Sequence, residues 1–252
     1  MGKKAGEESR QLRKGRAAVA AQGGRAARWP VIAGVVIIVG LVVTIVFTVV
    51  RSATTDTTAH PAASGPVMPP SGAAAGAMLL GQADAPVKLE VYADYMCPYC
   101  GRFERANGAE IAGLVGDGTA RLHLYPLAFL DDMSNGTRYS TRAANAAATV
   151  YDRAPDKLLP FNNLLYEHQP AEQSSGLSDN QIADLARQAG VPPPVVDAFD
   201  NATFEPWVAQ STQAAFAAGL EGTPTVKING QVFEGDLYTV GPLTQAISAA
   251  AK

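Results

Sequence analysis

Residues 31–50, VIAGVVIIVGLVVTIVFTVV, form an unbroken apolar run without a single charge. At a rise of about 1.5 Å per residue, a helix of this length covers roughly 30 Å, the thickness of a bilayer core. The run has no polar face, which argues against a buried core helix, and it exceeds the roughly 7–15 apolar residues of a cleaved signal peptide. It predicts an uncleaved transmembrane helix. Residues 51–77 follow, rich in Ala, Pro, Ser, Thr and Gly and without periodicity, and predict a flexible tether.

From Met78 onward the pattern is that of a globular body. Val87–Ala93 alternates with β-branched residues and predicts a buried strand; Pro98–Val115 predicts a helix, and Thr119–Tyr125 a second strand. A helical block comes next, over Thr137–Tyr151, Lys157–His168, Ser178–Ala189, Pro193–Asp200 and Thr203–Gly219. Ser178 with Gln181 has the spacing of a capping box, and Gly190 before Val191-Pro192 reads as a helix stop. Strands return at Thr225–Ile228 and Gln231–Phe233 around Asn229-Gly230, a two-residue hairpin signal, and Pro242–Ala251 closes the chain as a helix. The expected fold is α/β: a mixed sheet with an inserted helical subdomain at about 130–220, preceded by one transmembrane helix.

Charge divides the chain at the same places. Residues 1–77 carry 9 Lys/Arg and 3 Asp/Glu, whereas residues 78–252 carry 11 and 20. An acidic body argues against nucleic acid as a partner. Eight of the basic residues precede the apolar run and only Arg51 follows it before the body, so a basic head at 1–30 stays cytoplasmic and the body faces outward. The expected organisation is therefore head 1–30, span 31–50, extracytoplasmic tether 51–77 and catalytic domain 78–252, in the cell membrane by way of residues 31–50.

The chain has two cysteines, Cys97 and Cys100. They leave no disulfide framework and supply half the ligands of a four-thiolate zinc site, so no metal and no cofactor is expected. Cys97-Pro98-Tyr99-Cys100 follows the first long strand and opens a helix. Pro98 suits the first helical position, where its missing N–H costs nothing. Cys97 then meets the unpaired N–H groups and positive end of the helix, which favour thiolate and predict an exposed nucleophile. Cys100, one turn further in, is placed to attack a mixed disulfide at Cys97. His123 and His168 lack metal-ligand spacing. The pair Asp131-Asp132 is expected in a solvated turn, and Tyr92, Tyr95, Phe103 and Phe129 in the core.

Taken together, LGQADAPVKLEVYADYMCPYC and GLEGTPTVKINGQVFEG, with helices between them, resemble the thioredoxin superfamily and its DsbA-like branch over about residues 78–250. The resemblance implies a cis peptide at Thr223-Pro224 packed against the cysteine pair, with the Thr223 backbone free to pair with a substrate strand. Val91 stands where members often carry a buried acid, Glu90 should point to the opposite sheet face, and Tyr99 replaces the histidine of the strongly oxidising members. The implied function is disulfide formation in exported proteins, with electrons passed to a membrane redox partner and a monomeric body. A reductase or isomerase fed by a membrane donor is the alternative, and a non-catalytic peptide-binding or chaperone module is a third reading that a retained dithiol disfavours.

Overall fold

The computed structural model of the protein describes residues 65–252. The expected head 1–30, span 31–50 and residues 51–64 of the expected tether lie outside the described residues, among which no helix is long and apolar enough to cross a membrane. Residues at the end of the expected tether contact the body: the Ser71 N–H donates to Asp152 Oδ1 at 2.8 Å, and Pro70 and Ala77 are buried.

A five-stranded mixed sheet of order β1-β3-β2-β4-β5 forms the centre. Strand β1 (Met78–Leu80) runs antiparallel to β3 (Ala120–Leu127), which is parallel to the central β2 (Val87–Asp94). Strand β4 (Thr225–Ile228) runs antiparallel to β2 and turns through Asn229 and Gly230, both at positive φ, into β5 (Gln231–Val232). Both turn residues take the left-handed backbone of a type I′ turn, which Asn-Gly adopts at low cost. The sequence pattern did not mark β1. Its three residues are too few to alternate, and it is a strand because β3 supplies its partners.

Helix α1 (Pro98–Gly116) and the closing helix α7 (Pro242–Ala250) cover one sheet face, where Leu89, Val91, Phe103, Ile111, Leu243 and Ile247 are buried. Helix α6 (Glu205–Ala217) packs on β3 from the other face. Between β3 and α6 lies the helical insertion: α2 (Tyr139–Arg153), α3 (Leu158–Glu167), α4 (Asp179–Gln188) and the single turn α5 (Pro193–Val196). Helix α2 is its hub, buried nearly all round, and Ala143, Ala144, Ala146, Ala147 and Ala148 let neighbouring backbones approach.

Local chemistry explains the boundaries. The capping box at α4 is present, with Ser178 Oγ accepting from the Gln181 N–H and Gln181 Oε1 accepting from the Ser178 N–H. The helix expected over Pro193–Asp200 breaks into α5 and a 3-10 turn at Phe199–Asn201. Buried Asn145 on α2 holds the end of this segment: its Nδ2 donates to the Phe199 carbonyl, which also accepts from the Ala202 N–H, and its Oδ1 accepts from the Phe204 N–H. The expected solvated pair behaves differently at its first member, since Asp131 accepts from both the N–H and the hydroxyl of Thr141 and caps the first turn of α2.

The α3–α4 loop closes on the β3–α2 loop through Gln173 N–H to the Met133 carbonyl and Thr137 Oγ1 to the Ser175 carbonyl. Gly176 sits in this contact at φ +68°, where a Cβ would lie 2.4 Å from the Tyr139 ring. Gly176→Ala should therefore destabilise the fold by about 1–3 kcal/mol, through overpacking and an unfavourable backbone. A denaturant midpoint equal to wild type would show that the contact relaxes freely.

Candidate active site

Strand β2 ends at Asp94 and α1 begins at Pro98, so the chain changes from extended to helical within the turn Asp94–Cys97. The Asp94 side chain organises it. Asp94 is fully buried; its Oδ1 accepts from the Met96 N–H at 2.8 Å and the Ser140 hydroxyl at 2.6 Å, and its Oδ2 from the Leu130 N–H at 2.9 Å. One carboxyl thus ties β2, the loop after β3 and α2 of the insertion to the turn. Burial pushes it up to about 7, against the pull of the Ser140, Met96 and Leu130 donors. The turn's carbonyls are held from the other side by Gln169, whose Nε2 donates to Tyr95 O at 3.0 Å and Cys97 O at 2.8 Å.

Cys97 is the N-cap of α1, with Pro98 and Tyr99 opening the helix and Cys100 one turn in. Both cysteines are free thiols. Cys97 was expected to be exposed, yet only 5 % of it is accessible, because its sulfur packs against the Thr223 carbonyl at 3.3 Å. Cys97 is held down to about 6, first by a hydrogen bond from Cys100, then by Thr223 and the N–H groups of Cys100 and Tyr99, against a rise from burial. Cys100 has no accessible surface, and burial together with its donation to Cys97 holds its thiol well above the ordinary value. The two sulfurs are chemically unlike: one is a thiolate at neutral pH and the other a thiol.

The Thr223-Pro224 bond is cis, and the loop delivers Thr223 to Cys97 just before β4 begins. All six residues singled out from the sequence, Cys97, Pro98, Tyr99, Cys100, Thr223 and Pro224, therefore meet at one end of the sheet. Val91 is buried on the α1 side of β2; Glu90, buried on the opposite side, pairs with Lys88 at 3.1 Å. Tyr95 and Phe103 are core as expected, whereas Tyr92 and Phe129 are half-buried.

Sequence reasoning missed four residues. Asp94 carried a signal: an Asp closing a strand, two residues before an N–H that its side chain can accept. Gln169 carried none, since its partners lie more than seventy residues away. Arg102 and Tyr238 form the rim, with the Arg102 guanidinium 4.5 Å from the Tyr238 ring and 5.8 Å from that of exposed Tyr99. The loop carrying Tyr238 is fixed by Asn107 Nδ2, which donates to the Leu237 carbonyl.

This fold, with a helical insertion and a dithiol opening α1 beside a cis-proline loop, defines a DsbA-like protein of the thioredoxin superfamily. Residues 73–247 match the family model described as Thioredoxin, and the chain belongs to that family. Among solved structures, DsbA from Mycobacterium tuberculosis in its reduced form is 26% identical with a TM-score of 0.57, covering 70% of this chain and 100% of that one. Disulfide bond formation protein D of Bacillus subtilis is 26% identical over 162 residues, 63% of this chain and 70% of that protein. The serine/threonine-protein kinase PknE of Mycobacterium tuberculosis is 29% identical over 157 residues, 59% of this chain, and the match spans only 28% of the kinase's length.

The thiol asymmetry has a direct readout. A thiol lowered from its ordinary value stabilises the folded dithiol form; the effect is full above the ordinary value and is lost as pH falls through about 6. Iodoacetamide should alkylate Cys97 with a half-maximal rate at about pH 6, leaving Cys100 unmodified in the folded protein. An inflection near the ordinary thiol value of about 8.5 would contradict the stabilisation of the Cys97 thiolate.

Proposed function

We propose that this protein is an extracytoplasmic thiol–disulfide oxidoreductase that forms disulfides in exported proteins by cycling Cys97 and Cys100 between disulfide and dithiol. The observation that carries the reading is the arrangement of the pair: Cys97 caps α1 against the Thr223 carbonyl of the cis-proline loop, and Cys100 lies one turn behind it without accessible surface, so that Cys97 is lowered and Cys100 raised from the ordinary thiol value. A stabilised thiolate favours the dithiol over the disulfide, so the oxidised pair is an electron acceptor. The names borne by relatives, DsbA and disulfide bond formation protein D, agree with that direction.

In the forward cycle a client thiolate attacks Cys97 of the oxidised pair. The Cys97–Cys100 bond breaks, a client–Cys97 disulfide forms, and Cys100 leaves with the electron pair. The client's second thiolate then attacks its own sulfur in the mixed disulfide and Cys97 leaves as thiolate. The client has lost two electrons and the enzyme has gained them, and a membrane redox partner takes them up to restore the disulfide. Thiols carry all of this chemistry, without cofactor or metal. Thr223, beside the Cys97 sulfur that is attacked, offers its backbone to an extended client strand, a mode of recognition tolerant of client sequence. Exposed Tyr99 with Tyr238 adds an aromatic rim.

Residues 31–50 anchor the chain, residues 1–30 remain inside, and residues 51–77 lead to the catalytic domain 78–252, which works outside as a monomer. The charge asymmetry about the apolar run supports this topology, and redox compartment supports it independently, since protein disulfides persist outside the cytosol.

Cys100→Ser leaves the mixed disulfide without its resolving thiol. Expressed in cells, this variant should accumulate disulfide-linked adducts with exported proteins, and Cys97→Ser should accumulate none. Equal adducts from both variants would overturn the assignment of roles, and adducts confined to cytoplasmic proteins would overturn the placement.

A further inference from the structure

Helix α3 and the residues after it hold the active-site turn by side chain and by backbone. The Tyr95 ring packs against that of Tyr166, with centroids 5.0 Å apart, and the Tyr95 hydroxyl donates to Asn162 Oδ1 at 3.0 Å. The backbone contact is made by half-buried Gln169, which follows α3 and whose Nε2 donates to Tyr95 O at 3.0 Å and to Cys97 O at 2.8 Å. Both partners are carbonyls, which fixes the orientation of the amide, and the two hydrogens on Nε2 serve one carbonyl each.

The two carbonyls depend on this amide unequally. Cys97 O also accepts from the Gly101 N–H at 3.2 Å, the first bond of α1, whereas Tyr95 O has no other partner among the described residues. The Tyr95–Met96 peptide is thus held at both ends, its carbonyl by Gln169 and its N–H by Asp94 Oδ1 at 2.8 Å. The Cys97 carbonyl belongs to the planar peptide that carries Pro98, so fixing it fixes the start of α1 relative to the Cys97 side chain. The amide also rests on α1 itself. Gly101, next to Cys100, is buried, and a Cβ there would overlap Gln169 Oε1 and lie 2.9 Å from Cδ, so the glycine makes room for the glutamine. The groups that lower Cys97 are the Cys100 thiol, Thr223 and the N–H groups of Cys100 and Tyr99, and two of these are backbone groups of the helix start that Gln169 fixes.

We propose that Gln169 is a positioning residue for Cys97: by holding the Tyr95 and Cys97 carbonyls on one amide, it keeps the Cys97 sulfur aligned with the first N–H groups of α1. This inference rests on the thiol–disulfide reading above and adds the helical insertion to the parts that set the reactivity of the nucleophile. Gln169 acts through the backbone. Without its amide the Tyr95 carbonyl has no donor, and two oxygens that converge on one nitrogen are left to repel each other. The turn then relaxes, the N–H groups of Tyr99 and Cys100 lose their aim, and the thiolate loses stabilisation while α1 and Cys100 stay in place.

Alkylation of Cys97 by iodoacetamide against pH reads this alignment. In the unsubstituted protein the half-maximal rate falls at about pH 6. Gln169→Leu keeps the bulk and removes the donor, and it should move that point upward by about one pH unit. A weaker thiolate also favours the disulfide, so the equilibrium with glutathione at pH 7 should shift toward the oxidised pair by about fivefold. Gly101→Ala reaches the same contact from α1. Its Cβ displaces the amide and should raise the half-maximal pH as well, yet it should change nothing in a Gln169→Ala background, where no amide is left to displace. A folded Gln169→Leu protein that keeps the wild-type alkylation profile overturns the role of Gln169, even where its denaturation midpoint has fallen. An equal shift from Gly101→Ala in both backgrounds overturns it too. A profile of the unsubstituted protein centred near the ordinary thiol value of about 8.5 overturns the underlying reading of Cys97 instead.

Discussion

Between Asp94 and Cys97 the chain must leave a strand, begin a helix and present a reactive sulfur, and the fully buried Asp94 carboxyl makes this turn possible. Its three donors come from the turn itself, from the loop after β3 and from α2. Burying a carboxyl away from water is costly unless its lone pairs are met, and here they are met by groups that thereby become fixed relative to one another. The helical insertion is consequently part of the active-site architecture. Its α2 contributes Ser140, and the residue pair following α3 contributes Gln169, which holds the turn's carbonyls from the opposite side. A change that loosened the insertion would move Cys97 without touching it.

From this fixed turn follows the unequal chemistry of two identical side chains. Cys97 caps α1, where N–H groups and the Cys100 thiol converge on its sulfur. Cys100, inside the same helix, has lost its water and is held as a thiol. The stabilised thiolate makes Cys97 a good leaving group from a mixed disulfide and lowers the free energy of the dithiol state. The Thr223 carbonyl at 3.3 Å brings a backbone strand end to the same sulfur, so a client strand pairing there as proposed would lie beside the reacting atom.

Much of this was legible from local patterns. The motif Cys97-Pro98-Tyr99-Cys100 at a strand-to-helix junction, the Ser178/Gln181 box and the Asn229-Gly230 turn each depend on residues within a few positions of one another, and each appears where its chemistry requires. What escaped depends on distant partners. Strand β1 exists through β3, the segment around Phe199 is held by Asn145, and Cys97 is covered by Thr223. Gln169 is a glutamine before a proline until the fold brings it to the Cys97 carbonyl. Placing Val91 on the α1 side and Glu90 opposite did follow from strand alternation, because that periodicity is local.

A disulfide-forming role requires that the Cys97 thiolate stabilise the dithiol enough to make the oxidised pair an acceptor. The reduction potential, obtained by equilibrating the protein with glutathione redox buffers, tests it most directly. With Cys97 at about 6 and with tyrosine rather than histidine at position 99, the potential should fall between about −270 mV and about −120 mV, the values of thioredoxin and DsbA. A value at or below about −270 mV would mean that the pair holds its disulfide as firmly as a reductant does, and would contradict a role in making disulfides.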